Sequence, residues 1–421
     1  MPRFLYSLLL YLLLPLLAAK LCLRCIKDPA YRSHWRERFG FYSQPRQQAV
    51  IWLHCVSVGE TRAAAPLINA LLAAYPARTL LLTHGTPTGH ATSEKLFGNR
   101  VQRAYLAYDL PFAVRRFLNH FQPCLGVLLE TELWFNLLAR CHQANIPVVL
   151  ANARLSEKSA AGYAKLGQLL RDGLQSLQLI AAQSEEDAAR FKKLGATRVL
   201  TLGNLKFDAT LPSETEAEGK HLRRLFGEQR PVFLAASTRD GEEALLLDAL
   251  TESSITDLLT VIVPRHPHRF AEVEALLIKR GLAYEKRSAL KLAVASRTQI
   301  ILGDSMGEMM AYYASADVCF IGGSLLPFGG QNLIEAMRVG KPVLLGPHTY
   351  NFAEVSATAV AQCAAWRVNN AQEISLALQA LMAAPEKRLA MGGLGLALCE
   401  AGQGASVATM AMIADFVGPS V

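Results

Sequence analysis

From about residue 48 onward, short apolar runs alternate with amphipathic stretches along almost the whole chain. Val50–Val56 (VIWLHCV) has the continuous hydrophobicity of a strand buried on both faces. It breaks at Ser57-Val58-Gly59-Glu60 and passes into an Ala- and Leu-rich helix predicted over 61–74. Thr79–Thr83 repeats the pattern, followed by Gly85-Thr86-Pro87-Thr88-Gly89 and a helix. A third strand ends at Tyr105–Tyr108, and Asp109-Leu110-Pro111 opens the next helix, with proline in the first turn where its missing N–H costs little. Cys124–Leu129 and Pro147–Ala151 are further strands, with 131–145 helical between them, and Leu179–Gln183 and Val199–Gly203 continue the series. After a polar stretch over 204–219 the alternation restarts with strands at Pro231–Ala236, Leu259–Val263, Ile300–Gly303, Val318–Ile321 and Pro342–Leu345, and ends in a helical tail over 386–416. Strand–helix alternation of this kind predicts an α/β chain with parallel sheets. The expected organisation is two doubly wound, Rossmann-like domains over 49–205 and 221–421, joined by a linker at 206–220. Two such domains facing each other across a cleft form the GT-B glycosyltransferase architecture.

The first 48 residues do not fit that alternation. Phe4–Ala19 (FLYSLLLYLLLPLLAA) is sixteen residues without a charge, against the 17–25 or so of a full span, and Pro15 can kink it. A signal peptide is the rival reading, but Lys20-Leu21-Cys22 offers no small-x-small cleavage site. A buried amphipathic helix of a soluble fold is the other. Arg3 alone precedes the run, whereas Lys20, Arg24, Lys27, Arg32, Arg36, Arg38 and Arg46 follow it against Asp28 and Glu37. The positive-inside rule then places the remaining chain in the cytoplasm. The expectation is a single N-terminal membrane-anchor helix with a basic juxtamembrane segment over 1–48, lying outside both cores. Its basic residues would attract anionic headgroups at about 1 kcal/mol each.

Composition narrows the partners. Lys and Arg outnumber Asp and Glu by 43 to 35, a net charge of +8, which favours anionic ligands or an acidic membrane surface. No basic–aromatic stripe or known module supports a nucleic-acid partner. The eight cysteines have no disulfide-framework spacing, which fits a reducing compartment.

In doubly wound sheets ligands sit beyond the carboxyl ends of the strands, so the chemistry belongs in strand-to-helix loops. Glu60 stands at the start of a helix, where the dipole favours a carboxylate; a plain helix-start acid is the alternative. Glu130 and Glu132 emerge directly from a buried strand, where a charge is normally paired; one of the two simply capping the helix is the alternative. Lys206 stands in Gly203-Asn204-Leu205-Lys206-Phe207-Asp208, able to meet a phosphate or to sit as a solvated linker lysine. Arg265 and His266 follow a strand in the second half, and arginine presents a donor fork to phosphate. His266 and His268 have no acid or cysteine at ligand spacing, so no metal site is expected. Asp304-Ser305-Met306-Gly307-Glu308 offers backbone N–H groups at a helix start. The glycine-rich run from Gly322 to Gly330, followed by Gln331-Asn332-Leu333-Ile334-Glu335, invites close backbone approach by a nucleotide, with Glu335 placed for ribose hydroxyls. It is neither a Walker loop nor a GxGxxG fingerprint, which argues against an NTPase or a dehydrogenase.

Taken in order, WLHCVSVGE, THGTPTG, YDLP, ETELWFN, GNLKFD, VPRHPHRF, DSMGEM and GGSLLPFGGQNLIEA resemble the motifs of the 3-deoxy-D-manno-octulosonic acid (Kdo) transferases of lipopolysaccharide assembly over nearly the whole chain. Two places depart from that pattern. Phe135 stands where the family usually has proline, and Gln331-Asn332-Leu333-Ile334-Glu335-Ala336 replaces a run often read as HNPLEP. The resemblance implies an inverting, metal-independent transferase without a cofactor, moving Kdo from CMP-Kdo to a lipid A precursor (lipid IVA) at the cytoplasmic face of the inner membrane. It implies Glu60 as general base and Glu130 and Lys206 as groups assisting the transition state. CMP would be held around Arg265-His266, Met306-Gly307-Glu308 and Asn332-Leu333-Ile334-Glu335. A GT-B transferase using another nucleotide sugar and a non-catalytic lipid A-binding protein are the alternatives.

Overall fold

The computed structural model describes residues 1–46, 48–211, 213–251 and 255–417. The chain divides into two compact units, one made of Met1–Thr210 and the stretch from Gly402 on, the other of Leu211–Ala401.

The first unit is built on seven strands: β1 (Val50–His54), β2 (Leu80–His84), β3 (Gln102–Tyr105), β4 (Pro123–Leu129), β5 (Val148–Ala153), β6 (Leu179–Ala182) and β7 (Val199–Thr201). All pair in parallel in the order β3-β2-β1-β4-β5-β6-β7. The order reverses between β1 and β4, so the loops leaving these two strands diverge and open a crevice at their carboxyl ends. Alternation of side chains along β1 feeds two cores. Trp52 joins Phe117, Phe121 and Phe191 on one face, while Ile51 and Leu53 join Leu67, Leu82 and Val127 on the other. Gly126 on β4 leaves room for the indole, since a Cβ there would meet Trp52 Cε3 at 2.9 Å. The indole N–H is satisfied by Thr83 Oγ1 at 2.7 Å.

The tail departs from the expected 221–421 domain. The helix Ala405–Val417 packs on the first unit, burying Ala405, Ile413 and Val417 with Ile51, Leu53 and Leu67. Asp208 holds its start by accepting from the Gly404 N–H at 2.7 Å and from the Ser406 N–H. Gly402 leaves space for the Phe207 ring, which a Cβ would meet at 2.7 Å. The stretch Pro385–Val417 has the length and apolar composition of a membrane span, but its halves bury residues in protein cores. The expected linker also shifts. Leu205–Phe207 forms a 3₁₀ turn of the first unit, and a helix already starts at Thr215.

The N-terminal run forms two helices, Arg3–Leu12 and Leu14–Lys27, bent by 50°. Pro15 lies in the first turn of the second, where it lacks an N–H and its ring crowds the preceding turn. The expectation that this segment lies outside both cores is corrected: Tyr6, Leu10 and Leu14 pack against the first unit's core. The Tyr6 hydroxyl donates to Asp109 Oδ2 and the Ser7 hydroxyl to Asn136 Oδ1, each at 2.9 Å. Phe4, Leu8, Leu12, Leu16, Leu23 and Ile26 remain exposed.

The second unit repeats the plan with β8 (Val232–Thr238), β9 (Leu259–Pro264), β10 (Tyr284–Lys286), β11 (Ile300–Leu302), β12 (Val318–Ile321), β13 (Val343–Leu345) and β14 (Ala365–Arg367). These too are parallel, in the order β10-β11-β9-β8-β12-β13-β14, with the reversal between β8 and β12. Phe233, Leu246, Ile262, Phe320 and Leu344 centre its core.

Candidate active site

Glu60 follows β1 and Glu130 follows β4, so the two acids flank the crevice of the first unit. Ser57 caps the short helix Val58–Ala63, its hydroxyl oxygen accepting from the Glu60 N–H. Glu60 reaches back to the same turn: Oε1 accepts from the Ser57 hydroxyl at 2.9 Å and Oε2 from the Val56 N–H at 2.8 Å. This reciprocal arrangement resembles a capping box and fixes the carboxyl group. The THGTPTG run holds the loop from behind. His84 Nδ1 lies 3.0 Å from the Cys55 carbonyl oxygen, and the Thr86 hydroxyl donates to the Val56 carbonyl at 3.2 Å. Burial lifts the Glu60 pKa to about 7, with the Glu130 charge adding to it and the Val56 and Ser57 hydrogen bonds only partly opposing it. A carboxyl group poised there is half ionised at neutral pH.

Glu130 has the opposite environment. Its backbone is left-handed, with φ +57°, and turns the side chain out of the strand line. Lys206 Nζ donates to Oε1 at 2.9 Å, and Arg154 Nη2 lies 4.0 Å from Oε2. Burial works against the charge, but Lys206 and Arg154 outweigh it and hold the pKa below the usual carboxylate range. Glu132 accepts from the Trp134 indole N–H at 2.8 Å, and burial raises its pKa. The sequence places the acids of this crevice in different roles: one poised near neutrality, one firmly ionised by its cations.

The Lys206 backbone is pinned by amide side chains. Asn204 Oδ1 accepts from the Lys206 N–H at 3.0 Å, and Asn152 Oδ1 accepts from the Leu205 N–H at 3.0 Å. The solvated-linker alternative therefore fails: Lys206 is part of the first unit, with its ammonium against Glu130.

In the second unit Arg265 Nε donates to Gln331 Oε1 at 3.2 Å, joining the loop after β9 to the loop after β12. His266 follows it, and burial together with Arg239 and Arg265 lowers its pKa. Met306 is exposed, and Gly307 has φ +91° with open space around it. Glu308 pairs with Arg287 at 2.6 Å and accepts from the Ser305 hydroxyl. Asn332 Oδ1 accepts from the Ile334 N–H at 3.2 Å, starting the helix that carries Glu335. Leu333 and Ile334 are buried in the core, backbone included.

The glycine-rich loop has an anchor that its sequence did not show. Glu242, fully buried, accepts from the N–H of Gly323 at 2.6 Å, of Arg239 at 2.8 Å and of Leu325 at 2.9 Å. Gly322 is glycine because a Cβ would meet the Ser237 carbonyl oxygen at 2.4 Å. These glycines let chain segments pack closely around a buried carboxylate. Among the described residues no three His, Cys, Asp or Glu side chains converge as a metal ion requires.

The first unit matches the model of the family described as 3-deoxy-D-manno-octulosonic-acid transferase (kdotransferase) over residues 33–209, and residues 246–394 match that of glycosyl transferases group 1. The chain is 42% identical over 381 residues to a 3-deoxy-D-manno-octulosonic acid transferase of Bordetella pertussis, covering 88% of both chains. It belongs to the 3-deoxy-D-manno-octulosonic acid transferase family.

A Kdo transferase of Haemophilus influenzae is 39% identical over 411 residues, with 96% of each chain covered. By fold, this transferase resembles an Anabaena protein solved with UDP and glucose, at TM-score 0.59 and 12% identity over 88% of this chain and 100% of that one. A UDP-GlcNAc 2-epimerase of Neisseria meningitidis gives TM-score 0.58 at 16% identity, over 88% of this chain and 100% of that one. The matched segments contain Glu60, Glu130 and Lys206 in the first unit and Arg265 through Glu335 in the second.

Three residues of these loops escaped the sequence reading. Arg154 supplies the second cation to Glu130. Arg239 follows β8 at the reversal point, with its guanidinium 4.7 Å from the centre of the Phe328 ring and its charge felt by His266. Glu242 organises the glycine loop. Only the strand order marks the first two loops as crevice loops, and Glu242 reads from sequence as an ordinary helix-start acid.

Proposed function

We propose that this transferase moves Kdo from CMP-Kdo to a lipid A precursor (lipid IVA) in lipopolysaccharide core biosynthesis, inverting the anomeric centre and using no metal ion. The observation that carries the reading is the pair of carboxyl groups across the first unit's crevice: Glu60 lifted to about 7 beside Glu130 held ionised by Lys206. A general base works best with a pKa near the working pH. An acceptor hydroxyl bonds through oxygen to the anomeric carbon of Kdo as its proton passes to Glu60. The bond from that carbon to the CMP phosphate oxygen breaks, and the electron pair leaves with CMP. Attack opposite the departing phosphate inverts the centre. CMP becomes a dianion, and Arg265 and the loop carrying Met306-Gly307-Glu308 are the groups we assign to it, while Lys206 is assigned to the charge that develops in the transition state. Asn332 and Glu335 take the nucleoside in this reading.

The two N-terminal helices hold the enzyme at the cytoplasmic face of the inner membrane in the same proposal, through the apolar side chains that stay exposed on them. The test is transfer to tetraacylated lipid A precursor with CMP-Kdo or a UDP-sugar as donor, the product read by mass spectrometry. A Kdo adduct formed from CMP-Kdo alone is expected; a product formed only from the UDP-sugar overturns the proposal.

A further inference from the structure

The segment after the N-terminal helices folds against the helix Pro111–Phe121 and leaves a groove of about 660 Å³. Its lining is basic and aromatic, with Trp35, Arg36, Phe41, Arg46, Arg116 and His120 on its walls. Arg36, Arg46, Arg116, Trp35 and Phe41 are exposed, as is Arg32, a fourth arginine of the lining. The acid among the described lining residues is Glu37, and it is buried and committed. Its Oε1 lies 3.1 Å from both Gln44 Nε2 and His34 Nδ1, and its Oε2 accepts from the Tyr105 N–H at 2.8 Å. The groove therefore presents a net positive charge.

Arg36 and Arg116 are also held. The Arg116 guanidinium lies 4.1 Å from the centre of the Phe41 ring and 5.2 Å from that of Phe112, and Arg36 lies 5.6 Å from Phe41 on the same wall. A guanidinium stacked on a ring keeps its in-plane N–H donors for an anion, and the fork matches phosphate oxygens. Phe112 in turn stacks on Tyr11 of the first N-terminal helix, at 6.2 Å between ring centres. The exposed apolar helices and the basic groove thus join through Tyr11, Phe112, Arg116 and Phe41. Apolar side chains beside aromatic rings and arginines are the layering of a bilayer interface, hydrocarbon first and phosphate above it. One end of the groove lies away from the reacting carboxyl groups. Asn119 and His120 stand just before β4 begins at Pro123, whereas Glu130 follows its far end.

We propose that this groove binds the phosphate of an anionic phospholipid headgroup and so seats the first unit on the bilayer. The inference rests on the membrane placement above, and it adds a specific site to it.

The test uses the full chain and phosphatidylcholine vesicles with and without phosphatidylglycerol, comparing the wild type with R36Q/R46Q/R116Q. A second variant, R140Q/R171Q/R198Q, removes three exposed arginines elsewhere on the same unit. At about fivefold per charge, the groove variant should lose about 10²-fold in partition to the anionic vesicles. Its partition to neutral vesicles and its turnover in detergent should stay unchanged. Equal losses in both triple variants overturn the site, because bulk charge then suffices. Retained phosphatidylglycerol binding with a raised KM for the lipid acceptor in detergent overturns the assignment to a phospholipid and makes the acceptor's own phosphate the occupant. Failure of the transferase reading is separate, since it appears as absent turnover in the wild type.

Discussion

Lys206→Ala removes the ammonium that stands 2.9 Å from Glu130 and leaves Arg154, at 4.0 Å, as its nearby cation. The Lys206 and Glu130 side chains are 14% and 20% exposed, so the pair is mostly shielded from water. Removing one partner of a fully buried pair costs about 3–5 kcal/mol, and the remaining arginine and partial exposure reduce this to about 2–3 kcal/mol here. The loss depends on pH with a definite sign. The Glu130 pKa is depressed in the folded chain, so the pair stabilises above the unfolded carboxylate pKa, and its contribution fades as pH falls through the folded value. The gap between wild type and variant in urea unfolding should therefore be full at pH 7 and close under acid conditions. Transfer should slow as well, by about 2–4 kcal/mol in barrier if Lys206 meets the developing charge. The double variant Lys206→Ala/Glu130→Gln separates the two effects. It removes the unpaired carboxylate, so stability should largely return while transfer stays slow. Recovery of transfer in the double variant would refute the reasoning, because Lys206 would then serve only to neutralise Glu130.

Glu60 titrates in the opposite sense. Its pKa is raised to about 7, so ionising it costs folding stability as pH rises from the unfolded value near 4.5, and Glu60→Gln should gain on the wild type by about 1–2 kcal/mol between pH 5 and 8.5, read by urea unfolding. The same group should give kcat/KM an acidic limb near pH 7 that is missing in the Gln variant. Activity should persist in excess EDTA, because the proposal assigns the departing phosphate to cationic side chains and no metal ion; loss restored by Mg²⁺ would show otherwise. Tyr6→Phe breaks the bond to buried Asp109, whose pKa burial raises to about 6, and should lower thermal stability by about 1 kcal/mol.

The parallel strands and the strand-to-helix loops were legible because buried strands carry continuous apolar runs and ligand loops follow their carboxyl ends. Glu60 and Glu130 stood out for that reason. Which loops neighbour each other was not legible, since strand order depends on crossovers that leave no periodic trace. Arg154 and Arg239 were missed on that account. The destination of the C-terminal helix was hidden for a related reason: an Ala- and Met-rich face packs on any apolar surface, and the Asp208 cap on Gly404 spans almost two hundred residues. The glycines of the loop after β12 signalled close approach, and Glu242 and neighbouring backbone are among the groups that approach. For the N-terminal run, composition gave the apolar character and Pro15 the bend, whereas the Tyr6 and Ser7 contacts depend on folded partners more than a hundred residues away.

The most direct measurement is Kdo transfer and CMP affinity on the same purified Glu60→Gln protein beside the wild type. Glu60 belongs to the first unit, and the loops assigned to the nucleotide belong to the second. Gln keeps the size of the side chain and removes the base, so product formation should fall by about 10²–10⁴ while CMP affinity stays within error of the wild type. A folded Glu60→Gln enzyme that transfers Kdo at the wild-type rate would contradict the account and leave Glu60 as a helix cap.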